Sequence, residues 1–174
     1  IDGLRLAIGA PGDDGASGTV INAGAVYLFT FANDSDFSGA SLEAVIGHGY
    51  VGGKNLFVTQ IDANDNFGSA VSLDGNRLAV GAPGDDGAGN GLTAGGAVYL
   101  FSFADVLFAG GALEGIIGSG YTGGKNVSLG LLVQGVGLLV HFNSDFFHDL
   151  FQLATYIGRQ AVPELGVGDQ HVVQ

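Results

Sequence analysis

The chain alternates short apolar runs with tight polar breaks. Its clearest stretch predicts a strand over Phe67–Leu73, a hairpin turn at Asp74-Gly75 and a return strand over Arg77–Ala82. Asp-Gly favours a two-residue type I′ turn, whose central positions both need φ > 0. Pro83-Gly84-Asp85-Asp86-Gly87 breaks the return strand and opens a Gly/Asn/Thr loop that runs to Gly96. Ala97–Phe103 is the third strand, and Leu113–Ile117 the fourth and shorter one; Gly118–Asn126 links onward. These strands carry apolar residues at odd and even positions, so both faces of their sheet are expected to be covered.

The same text occurs twice. Ile1–Ala16 returns 72 residues later as Leu73–Ala88, and Gly24–Phe29 returns as Gly96–Phe101. Gly49–Asn55 returns as Gly120–Asn126 at an offset of 71, because the loop after Ala104 is one residue shorter. A fixed period marks an array of equivalent units, each covering its neighbour. The expected fold is all-β: about two four-stranded repeats of 72 residues, read as blades of a β-propeller over 1–126, the first one partial.

After Asn126 the repeat stops. Residues 127–174 form a non-repeat tail, with an apolar run over Val127–Phe142 broken by Gly130, Gly135 and Gly137. That run is too interrupted to predict a membrane span. Ser144 reads as an N-cap, and Phe146, Phe147, Leu150, Phe151, Leu153, Ala154 and Ile157 recur at helical spacing up to Gly158. The tail reads either as a terminal cap or as an out-of-frame segment of a gene that continues with further blades. The abrupt loss of the motif favours the second reading.

Composition narrows the function classes. Glycine makes up 33 of 174 residues, far above the usual share of about 7%, without a collagen triplet, so the glycines serve turns. Net charge is −12 with five basic residues, which argues against nucleic acid and anionic membrane surfaces as partners. Mean hydropathy is nonetheless positive, at +0.38, consistent with strands buried on both faces. There is no cysteine, hence no disulfide and no thiolate metal site. Methionine is absent too and no signal peptide is visible in the sequence, so it reads as a processed or excerpted chain whose true N-terminus is not in view.

Phe67-Gly68 followed by Gly81-Ala82-Pro83 resembles the FG-GAP repeat of integrin α-chain propellers and their bacterial surface relatives; the first copy keeps Gly9-Ala10-Pro11. The resemblance spans roughly 1–126. It implies a propeller of about seven blades, an extracellular or cell-surface location, and adhesion or recognition rather than catalysis. Two departures stand out. The calcium loop of the family would lie between Phe-Gly and Gly-Ala-Pro, where this chain has only the hairpin Ser72–Arg77. The period is also longer than usual, with the excess in the Gly/Asn loops.

Candidate chemistry is sparse. Adjacent carboxylates in Gly-rich turns, Asp13-Asp14 and Asp85-Asp86, are the best candidates for Ca²⁺, which takes six to eight oxygens. Asp62, Asn64 and Asp65, just before Phe67, form a second candidate set; Asx turns explain both sets without a metal. No cofactor is required. Gly52-Gly53-Lys54-Asn55 and its copy Gly123–Asn126 lack the spacing and the Ser/Thr of a phosphate loop and read as structural turns. His141, Asp145 and His148 fall at i, i+4 and i+7, but His141 lies outside the predicted helix. No catalytic residue is assigned.

The expected function is a non-catalytic extracellular binding, adhesion or scaffolding module, a fragment of a larger propeller. It would meet a protein or glycan at the loop face, or further blades of the same propeller. A truncated or frameshifted chain without function of its own is the alternative, and a propeller-fold enzyme a weaker one. An isolated fragment would expose strand edges and self-associate.

Overall fold

A computed structural model describes residues 1–129. The predicted helix over 144–157, the triplet His141/Asp145/His148 and most of the tail lie outside the described residues. Within them the protein is all-β, with no helix. Two sheets form, and neither closes on itself. The first comprises β1 (Arg5–Ala10), β2 (Ala25–Thr30), β3 (Ser41–Gly47) and β4 (Leu56–Phe57), in that order. The second comprises β5 (Ala70–Asp74), β6 (Arg77–Ala82), β7 (Ala97–Ser102), β8 (Ala112–Gly118) and β9 (Val127–Ser128), again in chain order.

The strand pairing follows the sequence repeat, with β6–β9 as the counterparts of β1–β4. β1–β2 pairs Leu6 with Phe29 and Ile8 with Tyr27; β6–β7 pairs Leu78 with Phe101 and Val80 with Tyr99. β2–β3 and β7–β8 carry the same irregularity, between Leu28/Phe29 and Leu100/Phe101. β4 and β9 each add a short parallel pair, Ile46 with Leu56 and Ile117 with Val127. The pairing therefore runs past the sequence repeat, to Leu129, whose N–H donates to Gly118 as that of Val58 donates to Gly47.

Two sequence expectations need correction. The first strand of the full repeat starts at Ala70, not Phe67, because Asn66 and Gly68 are left-handed and turn Phe67 out of line (φ 54° and 90°). The Phe67 N–H instead donates to the Ala23 carbonyl, just before β2 of the first sheet. The Asp74↔Arg77 pair encloses Gly75-Asn76, and only Gly75 is left-handed (φ 53°). Type I′ needs both central residues left-handed, so the turn is not of that type.

The core lies between the sheets. Cross-strand partners share a face. Ala7, Val26, Leu28, Ala44 and Ile46 of the first sheet meet Leu78, Val80, Tyr99, Phe101 and Ile116 of the second. Phe67 is the wedge at this seam, fully buried, with its ring edge-on to Tyr99 (5.3 Å) and Phe101 (6.1 Å). Gly9 and Gly24 admit it: an added Cβ would lie 1.9 Å from the Gly68 carbonyl oxygen at Gly9 and 2.0 Å from the Phe67 carbonyl oxygen at Gly24.

Candidate functional site: the acidic loops

Each Gly-Ala-Pro strand opens into a loop whose first acid points inward. Asp13 Oδ1 accepts the Gly15 N–H at 2.9 Å, and Asp85 Oδ1 that of Gly87 at 2.8 Å. These are Asx turns, which suit a chain that must reverse within a few residues. The remaining carboxylate capacity goes to two tyrosines. The Tyr27 hydroxyl donates to Asp13 Oδ2 at 2.7 Å, and Tyr50 donates at 3.0 Å. In the second repeat Tyr99 donates to Asp85 Oδ2 at 2.6 Å, and Tyr121 at 3.0 Å. Asp85 and Tyr99 are fully buried.

Such burial is tolerated because the charge is met by several donors. The hydroxyls respond in turn. Burial, then the Asp85 charge, pushes Tyr99 far above the usual phenol range. In the first repeat, the Tyr50 and then the Asp13 hydrogen bond do the same to Tyr27. Both remain protonated donors at neutral pH.

The second acid of each pair closes the loop. Asp14 Oδ1 accepts from the Asn22 N–H at 2.8 Å, and Asp86 Oδ1 from that of Ala94 at 2.6 Å. Main-chain bonds complete the base: Gly24 to Asp13 and Gly96 to Asp85, both 2.8 Å. Residues 16–19 and 88–91 at the tips stay exposed.

The segment 62–66 joins this arrangement from the connection between the sheets. Asn64 N–H donates to Ile21 and Gly84 N–H to Asp65, so it is held by both loops. The Asp62 N–H donates to Asp65 Oδ2 at 2.8 Å, and Asn90 Nδ2 donates to Asp62 at 2.9 Å. Asn64 is left-handed (φ 68°), with its amide oxygen 3.4 Å from Asn22 Nδ2. Asp65 is buried. Its pKa is pushed up to about 6, first by desolvation and further by the charges of Asp85, Asp62 and Asp86, against the opposing Asp62 hydrogen bond. The structure thus gathers Asp62, Asp65, Asp85 and Asp86 in one neighbourhood and places Asp13 and Asp14 at the equivalent loop of the first repeat. Among the described residues, no group of three or more His, Asp or Glu side chains could hold a metal ion.

The glycine-lysine turns are structural elements. Asn55 Oδ1 accepts from the Val45 N–H and Asn126 Oδ1 from that of Ile116, each at 2.8 Å. Lys54 pairs with Glu43 and Lys125 with Glu114. The tyrosine partners of the acids escaped the sequence reading. Their signal was present: four of the five tyrosines repeat as pairs, Tyr27/Tyr99 at the 72-residue offset of Asp13/Asp85 and Tyr50/Tyr121 at 71.

The family model of the FG-GAP repeat matches residues 59–101, the stretch that contains Phe67, the hairpin, Gly81-Ala82-Pro83, Asp85 and Tyr99. No curated protein matches the chain, and no solved structure does. With the motif, the strand order and the wedge residue agreeing over this stretch, residues 59–101 are an FG-GAP repeat.

Proposed function

We propose that the two sheets are blades of a β-propeller that serves as a non-catalytic binding or scaffolding module outside the cell or on its surface, with loops 12–24 and 84–96 as the face that meets a protein or glycan. The observation that carries this reading is the contrast within each loop. The base is pinned by a carboxylate with two tyrosines, while the tip is exposed. Rigid scaffolds with exposed loops are where recognition is built. The FG-GAP match supports the propeller and the location. No helix among the described residues is long and apolar enough to cross a membrane.

The chemistry also favours binding over catalysis. Asp13 and Asp85 are engaged by structural donors, and their tyrosines are poor acids. In this reading Asp13-Asp14 and Asp85-Asp86 hold the loops by hydrogen bonds, and calcium is not needed to shape them.

The test is a panel of surface glycans and extracellular-matrix proteins, probed with the full chain. A variant carrying Ser17→Ala, Thr19→Ala and Thr93→Ala, all exposed, is probed alongside. Binding by the natural chain, lost in the variant at an unchanged Tm, is the expected result. Binding that survives the substitutions, or no binding to either class, would remove the loop face from the account.

A further inference from the structure

The Asn-x-Ser/Thr sequence that accepts N-linked glycans occurs twice, as Asn33-Asp34-Ser35 and Asn126-Val127-Ser128. The two asparagines have opposite roles in the fold. Asn126 is engaged through both amide atoms: its Oδ1 accepts the Ile116 N–H at 2.8 Å, and its Nδ2 donates to the Thr122 carbonyl at 3.2 Å. It holds the turn that leads into β9, where Ser128 Oγ accepts the Gly120 N–H at 3.1 Å. Asn55, its counterpart in the first repeat, is bound in the same way, to Val45 and Val51. A sugar on the Asn126 nitrogen would compete with that structural bond.

Asn33 sits in the exposed stretch 32–40 between β2 and β3. Its Oδ1 accepts the Ser35 N–H at 2.9 Å, an Asx turn, and among the described residues its Nδ2 donates to none. The second repeat shows that this turn uses only the oxygen. There Asp105 follows Ala104 as Asn33 follows Ala32, and its Oδ1 accepts the Leu107 N–H at 2.9 Å and the Ala109 N–H at 3.0 Å. The amide nitrogen of Asn33 is thus surplus to the loop. The same loop offers a sugar somewhere to rest. Phe37 is 52% exposed and edge-on to Phe31 at 5.4 Å, whereas its counterpart Phe108 is buried under Arg5, 5.7 Å from the ring centre. The faces of a pyranose ring carry C–H groups, and laying them on Phe37 removes apolar area from water. The loop with asparagine in place of aspartate is the one whose ring is uncovered.

We propose that Asn33 is an N-glycan acceptor and that Asn126 is not. The donor is an oligosaccharide linked through diphosphate to a lipid. Asn33 Nδ2 forms a bond to the anomeric carbon as the bond from that carbon to the diphosphate oxygen breaks; Nδ2 gives up one proton and the lipid diphosphate leaves. The Asx oxygen stays free to hold the turn. The proposal rests on the extracellular location inferred above, which puts the chain on a secretory route, and does not need the loops 12–24 and 84–96 to bind anything.

The test is secretion of the full chain from a eukaryotic host behind a cleavable leader, with peptide mass mapping at both asparagines. The leader fixes the route, so the result reports on Asn33 and leaves the natural location to its own test. A glycan at Asn33 and a bare Asn126 in the secreted protein are expected. Ser35→Ala and Asn33→Asp should each abolish the modification. Both positions are exposed, and the aspartate keeps the Asx oxygen as Asp105 does, so neither variant should lose its fold. A secreted chain that is bare at Asn33, or one that carries its glycan at Asn126, would overturn the proposal. Should little protein leave the cell, Asn33 is mapped in the retained fraction, where a bare site has the same meaning.

Discussion

At the scale of single residues, the acidic positions divide into held and penalised carboxylates. Asp85 is held: it accepts from Gly87, Tyr99 and Tyr121 in a dry site. Removing the Tyr99 hydroxyl leaves that charge one donor short, and Tyr99→Phe is expected to cost about 1–3 kcal/mol, read as a lower Tm. Because the donors are already in place, millimolar calcium is expected to leave the natural Tm unchanged; a ligand bound to the folded state would raise it. A calcium-dependent rise, lost in Asp85→Asn, would restore the loop acids as metal ligands. Asp65 is penalised. Its folded pKa, about 6, lies above that of an unfolded aspartate, so the folded state binds the proton more tightly. Stability from this group is greatest below the unfolded value and falls as pH rises through 6, by up to about 3 kcal/mol. The natural chain should melt higher at pH 5 than at pH 7.5. Asp65→Asn keeps an oxygen for the Asp62 N–H, so it should raise Tm at pH 7.5 and flatten the dependence. An unchanged pH profile in that variant would contradict the assignment.

At the scale of elements, much was legible because the turn residues and the strand residues agree. Gly75, Pro83 and the apolar run at 97–102 place β6, β7 and the end of β5 to within a residue, and the repeat then places β1 and β2. What was not legible depends on long-range contact. The late start of β5 comes from Phe67 bonding to Ala23, in the loop that enters β2 of the other sheet, which no local pattern around Phe67 shows. The two-residue strands β4 and β9 are too short to carry periodicity; they exist because Leu56 and Val127 lie beside β3 and β8. Asp13 and Asp85 read as metal candidates because a sequence shows neighbours along the chain, whereas Tyr50 and Tyr121 arrive from 37 and 36 residues away. The β1–β5 approach gives a sharp test at this scale. Gly9→Ala would place a methyl 1.9 Å from a backbone oxygen, and the sheets must part to admit it. A loss of more than about 3 kcal/mol is expected, against less than about 0.5 kcal/mol for Gly91→Ala in open loop space. Equal urea midpoints for the two variants would refute the close approach.

At the scale of the whole molecule, the central claim is that the two repeats share one core and stabilise each other, as units of an array do. The alternative is two sheets that fold separately. Leu78→Ala separates them, because Leu78 belongs to the second sheet yet lies in the cluster with Val26, Leu28 and Ile46 of the first. Truncating a buried leucine costs roughly 2–5 kcal/mol, and amide exchange reports where that loss is felt. Hydrogen–deuterium exchange on the full chain, natural against Leu78→Ala, is the most direct measurement. A shared core predicts that protection falls together in β2 (Ala25–Thr30) and β7 (Ala97–Ser102). Protection lost in β7 while β2 keeps its natural rates would contradict it, and the repeats would then be neighbours rather than one packed unit.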